Sequence, residues 1–233
     1  MADRRAPPPR SRWRVWGALI AAPFILGGAV LPLAGYLARS RGLRGDALVA
    51  AVEPLAPLPV TAGFVGVFLL TRWLARRDGL GLEALGWRRP TARDVALGLG
   101  AGAALSAVNT FLLHPLVQAA QPTFDPTLRS VALPAMVVSL GVAAVAEDTL
   151  YRGYAFTVLA ERSGVAAAVV VTSLFYALLT PGSGWALVSW AASFGVALGG
   201  LRWWRGGLWP VTVAHWVVAL SPRLLAELAP APL

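Results

Sequence analysis

Three ionisable side chains stand together inside an otherwise apolar run: Glu147, Asp148 and Arg152, within Ala143–Thr157 (AAVAEDTLYRGYAFT). An ionisable group at bilayer depth costs about a few kcal/mol, so each of these must be compensated. On a helix, Asp148 and Arg152 are i and i+4 with the acid first, the favourable order for an ion pair. Glu147 points about 100° away from Asp148 and has no partner on its own helix. It needs a partner from elsewhere in the chain, or a proton. The chemistry on offer is a buried carboxylate that handles protons or activates water. The alternative is a polar knot that pins helices together, and the stretch by itself leaves both open.

The chain has two histidines and no cysteine, which removes disulfides, thiol nucleophiles and cysteine-based metal sites. Taking inner helix ends near residues 158 and 206, a rise of about 1.5 Å per residue puts Glu147 roughly 16 Å deep and His215 roughly 14 Å deep. They share a level on different helices, so His215 is the candidate partner. His114, before Pro115 near an outer end, reads as a capping or snorkelling residue. A Glu–His pair in a dry site activates water for hydrolysis, or simply satisfies two buried polar groups. A zinc site wants three ligands at one level, and no HExxH is present.

The elements that must hold these residues are apolar spans. The 233 residues are 57% hydrophobic and 13% charged, about half the charge of a soluble domain. Several runs reach the ~20 residues that cross a bilayer. The composition predicts an all-α, polytopic integral membrane bundle of about seven transmembrane helices. Residues 1–14 read as a basic, disordered cytoplasmic arm, 15–221 as the transmembrane domain with its motif-bearing core at about 131–221, and 222–233 as a short tail. The first span is expected over Val15–Ala38, too long for a signal peptide. The run Ala47–Leu74 opens with Glu53 and three prolines, so its first third should be kinked; Glu53 fits the outer interface. The connector Arg72–Asp94, with Trp87, fits the headgroup region. The third span, from about Val95 to Val117, carries a small-residue face in GLGAGAALSAVN and also holds Asn109. The remaining spans are expected at about 131–159, 165–180, 185–201 and 208–220.

All 20 basic residues are arginine, and the net charge is +9. They cluster at the ends of apolar runs, which assigns them to membrane topology rather than nucleic acid. An N-terminus inside and seven spans put Arg39, Arg41, Arg44, Arg129 and Arg223 outside. The other arginines, except the intramembrane Arg152, fall inside. The asymmetry predicts a cytoplasmic N-terminus, in what is expected to be the plasma membrane.

Glu147-Asp148-x3-Arg152-Gly153, then SLFYALL with Phe175, then VTVAHWVVA with His215, resemble the CAAX-protease and bacteriocin-processing (CPBP or Abi) family of intramembrane endopeptidases. Its motifs are EExxxR, FxxxH and HxxxN or HxxxD on successive helices. The LGLEALGWRRP connector resembles the segment before the family core, and the likeness covers about residues 80–221. The resemblance implies Glu147 and His215 as catalytic residues, with Asp148, Arg152 and Phe175 supporting. It implies a membrane-embedded or lipidated peptide as substrate, the bilayer as surroundings, and an association with bacteriocin immunity. It leaves a divalent metal conceivable by analogy, although the ligand count supports none. Two positions depart: Leu179 stands where the FxxxH histidine belongs, and Ala219 where the third motif has Asn or Asp. Neither side chain can move a proton or bind an oxyanion. Two classes of function follow, an intramembrane endopeptidase and a pseudoprotease that binds membrane peptides or partner proteins without cutting. The missing side chains favour the second for this chain.

Overall fold

A computed structural model describes residues 12–113, 115, 131–178 and 185–228. The arm through residue 11, His114, residues 116–130, Leu179, Thr180, the turn 181–184 and residues 229–233 lie outside them. The described residues form helices and contain no strand. Helix α1 spans Arg12–Arg41, so the arm's last residues are helical. The kink expected in the second run is a break: α2 covers Gly45–Val52, a 3-10 turn covers Glu53–Leu55, and α3 covers Pro57–Arg77. Proline at the first helical position costs no hydrogen bond, so Pro57 starts α3 without penalty. The short α4, Leu82–Leu85, ends at Gly86 with φ 104°. Thr91 and Asp94 form a reciprocal capping box that starts α5, Ala92–Val108, and a π turn over Asn109–Leu113 extends it.

The fourth run is one continuous rod. Helix α6, Leu133–Glu147, passes through a π-helical stretch at Asp148–Ala155 into α7, Phe156–Ser163. Gly164, with φ 82°, ends it. Then follow α8 (Val165–Leu178), α9 (Trp185–Arg205) and α10 (Trp209–Leu228). Helix α10 runs on through Pro222, past the end expected for the last span. Among the described residues, five helices are long and apolar enough to cross a bilayer: Trp13–Arg41, Pro57–Arg77, Ala92–Phe111, Leu133–Ser163 and Trp209–Leu228, with Val165–Leu178 a shorter apolar helix. The protein is an all-α integral membrane bundle.

Two apolar clusters hold the helices. One joins Val15 and Leu19 of α1 to Val67 of α3, to Leu150 and Tyr154 of the π stretch, to Val158 of α7 and to Ala168 of α8. The other joins Phe194 and Leu198 of α9 to Val211, Ala214 and Val218 of α10. Without a hydrophobic force between helices in lipid, close backbone approach supplies the packing. The small-residue face of α5 does this against α10: a Cβ on Gly98 would sit 2.6 Å from Val213 Cβ, and one on Gly102 2.7 Å from Val217 Cβ. Gly195 of α9 likewise lies against Ser173 of α8. At one end of the bundle Arg14 pairs with Asp78. Tyr154 donates to Asp78 Oδ2 at 2.7 Å, and Arg205 meets Asp94 at 3.1 Å.

Candidate functional site

The acidic motif straddles the junction between α-helix and π-helix. The Phe156 amide bonds back to the carbonyls of Tyr151 and Gly153. The Arg152 carbonyl is left to accept from Arg202 Nε of α9 at 3.0 Å. Arg202 Nη2 also donates to the Leu85 carbonyl of α4 at 3.2 Å. One buried guanidinium therefore ties the motif, the connector and α9 together. Gly153 is tightly enclosed, because a Cβ there would lie 3.3 Å from the Leu85 carbonyl oxygen. The connector has further anchors. The Leu208 amide donates to the Gly86 carbonyl at 2.9 Å. Trp87 Nε1 donates to Thr149 Oγ1 at 3.0 Å, and Trp209 Nε1 donates to the Arg88 carbonyl at 2.6 Å. Trp87, expected among headgroups, directs its N–H inward to the motif helix.

His215, on α10, is the centre of the cluster. Its Nδ1 lies 3.3 Å from Asp148 Oδ2, and its Nε2 lies 3.5 Å from Glu147 Oε2. Asp148 Oδ1 lies 3.4 Å from Arg152 Nη1, the i,i+4 pair read from the sequence. Arg152 stacks over the Tyr176 ring, 4.5 Å from its centroid. The Tyr176 hydroxyl reaches His215 Nε2 at 3.5 Å. Phe194 packs on the imidazole with centroids 5.3 Å apart. The side chains of Asp148, Arg152 and His215 are 0%, 1% and 6% exposed, whereas Glu147 is 22% exposed. Glu147 is thus the most exposed side chain of the group.

Two carboxylates face one guanidinium and one imidazole. The four groups sum to neutrality when a single proton resides on either Glu147 or Nε2. With it on Nε2, Glu147 is a carboxylate free to take a proton from water, and the imidazolium is a donor. Asp148, on the far nitrogen, fixes the ring's orientation, as a carboxylate behind a catalytic histidine does.

The structure therefore brings Glu147, Asp148, Arg152 and His215 into contact. Phe175 is elsewhere: its ring lies 5.4 Å from Trp16, in the α1 cluster. Reading the sequence pairs Asp148 with Arg152 and Glu147 with His215; the structure adds the bond from Asp148 to the same histidine. It also adds Tyr176 and Arg202, which the sequence reading passes over. A tyrosine within SLFYALL looks like core, and Arg202 looks like one more interfacial arginine. Ala219, one turn from His215 on α10, brings no polar group. The metal conceivable by analogy does not suit these residues. Both nitrogens of His215 already face carboxylates, Asp148 is turned onto Nδ1 and Arg152, and no group of three metal-binding side chains converges among the described residues.

Residues 129–221 match the model of a protein family described as Rce1-like, type II CAAX prenyl endopeptidase Rce1-like. No curated protein and no solved structure matches the chain. The match takes in the whole cluster, from Glu147 to His215.

Proposed function

We propose that this membrane protein hydrolyses a peptide bond in a membrane-embedded or lipidated substrate, with Glu147 and His215 as catalytic residues, a reading supported by the match of residues 129–221 to the Rce1-like family model. The observation that carries the proposal is the opposition of Glu147 Oε2 and His215 Nε2 across 3.5 Å. Glu147 removes a proton from water as the water oxygen bonds to the scissile carbonyl carbon. The carbonyl π pair moves onto oxygen, and the His215 imidazolium stabilises that charge. The intermediate then collapses: the C–N bond breaks, its electron pair stays on nitrogen, and Glu147 returns the proton to the amine. Asp148 orients His215, and Arg152 neutralises Asp148. The site works inside the bilayer of what we take to be the plasma membrane, with the N-terminus cytoplasmic.

A second reading, binding of membrane peptides or partner proteins without cleavage, is favoured by Ala219, which leaves no amide donor one turn from His215. Full-length protein in lipid vesicles, given a panel of membrane-spanning and lipidated peptides, separates the two. Hydrolysis that falls about 10²–10⁴-fold in Glu147→Gln supports the peptidase. Peptide retention without cleavage by the parent protein supports the second reading.

A further inference from the structure

The Tyr176 hydroxyl occupies the side of His215 on which the reaction would occur. It lies 3.5 Å from Nε2, the nitrogen that also faces Glu147. Its ring is held from several directions: edge-on by Tyr151 with centroids 5.6 Å apart, edge-on by His215 at 6.0 Å, tilted against Phe194 at 6.2 Å, and under the Arg152 guanidinium. A phenol fixed in this way loses little freedom when its O–H turns a short distance toward a new acceptor. Asp148 accepts at Nδ1, so whenever the shared proton sits on Glu147, Nε2 presents a lone pair and the Tyr176 O–H donates to it. When the proton moves to Nε2, that nitrogen no longer accepts, and the O–H can turn to another acceptor on the same side of the ring.

We infer that Tyr176 is a further catalytic residue, the hydroxyl that hydrogen-bonds the developing oxyanion beside the His215 imidazolium. The inference rests on the hydrolytic reading above. It gives this chain a second oxyanion donor from α8, where Leu179 and Ala219 supply none. The hydroxyl keeps its proton throughout. It stabilises the oxygen that gains the carbonyl π pair, and releases it when the C–N bond breaks.

The test compares parent, Glu147→Gln and Tyr176→Phe as full-length proteins in the same vesicle assay. It adds ¹⁵N imidazole spectra of histidine-labelled protein in a His114→Gln background, where His215 is the single histidine. Tyr176→Phe preserves the ring and its packing. It is expected to lower kcat about 10²–10³-fold with KM little changed, as loss of one oxyanion donor does, and to shift the Nε2 resonance of His215. Full activity in Tyr176→Phe, alongside loss in Glu147→Gln, overturns the inference and leaves the hydrolytic reading standing. An Nε2 resonance unmoved by Tyr176→Phe overturns the contact on which the inference stands, whatever the parent's activity. A parent that cleaves nothing removes the hydrolytic reading, and the catalytic role of Tyr176 with it.

Discussion

Removing Arg152 tests the electrostatics of the cluster most directly. Arg152 and Asp148 are 1% and 0% exposed and 3.4 Å apart, so Arg152→Ala leaves a carboxylate in a dry interior. Breaking a buried pair by deleting one partner costs about 3–5 kcal/mol. Loss of the guanidinium over Tyr176 adds about 0.5–2 kcal/mol. One term offsets these: Asp148 keeps His215 Nδ1 at 3.3 Å, which places the expected total nearer about 4 kcal/mol than the sum of the upper limits. For a chain of this size, 1 kcal/mol moves the melting temperature about 2–4 °C. Arg152→Ala should therefore melt roughly 8–16 °C below the parent in detergent. Arg152→Ala combined with Asp148→Asn should recover part of the loss, because the orphaned charge is gone. The measurement is thermal unfolding of the four proteins of this double-mutant cycle, followed by tryptophan fluorescence. A single variant that melts with the parent, or a double variant no better than the single, would refute the reasoning.

Gly102→Leu forces a side chain into Val217 and the Ala214 backbone, next to His215. It should cost about 1–3 kcal/mol and lower activity, while Gly100→Leu, where a Cβ meets nothing within 4 Å, should be neutral. Equal melting temperatures for the two leucine variants would remove the role given to this face. Leu179→His together with Ala219→Asn should raise peptide cleavage by about 10²-fold or more over the parent, each single change by much less. Glu147→Gln added to that pair should abolish the gain, and a gain that survives Glu147→Gln would remove that carboxylate from the mechanism.

The all-α membrane bundle and the Glu147–His215 pairing were legible because bilayer thickness and helical rise fix depth from residue number alone. The tight face of α5 was legible because Gly98 and Gly102 fall on one side of a helix. The connection of both carboxylates to one imidazole was not. Ideal helical geometry turns Glu147 and Asp148 apart, and composition gives no signal that α6 passes into a π-helical stretch at Asp148. Nor does composition reveal that the freed Arg152 carbonyl would recruit Arg202 from α9. Tyr176 was hidden because a tyrosine ring satisfies an apolar core as well as a phenylalanine does; its hydroxyl acquires meaning only once α10 places His215 beside it.

The separation of Asp148 from His215, 67 positions along the chain, bears on biosynthesis. At about 5–20 residues per second, roughly 3–13 s pass between the synthesis of the acidic motif and that of its histidine. During that interval the motif helix has left the ribosome, and α10 does not yet exist. Arg152 is the cation on the same helix that is already present, so the i,i+4 pair accompanies Asp148 through the translocon before the site is complete. Glu147 has no such escort until His215 arrives, so a nascent chain halted before α10 would carry it as the protonated acid.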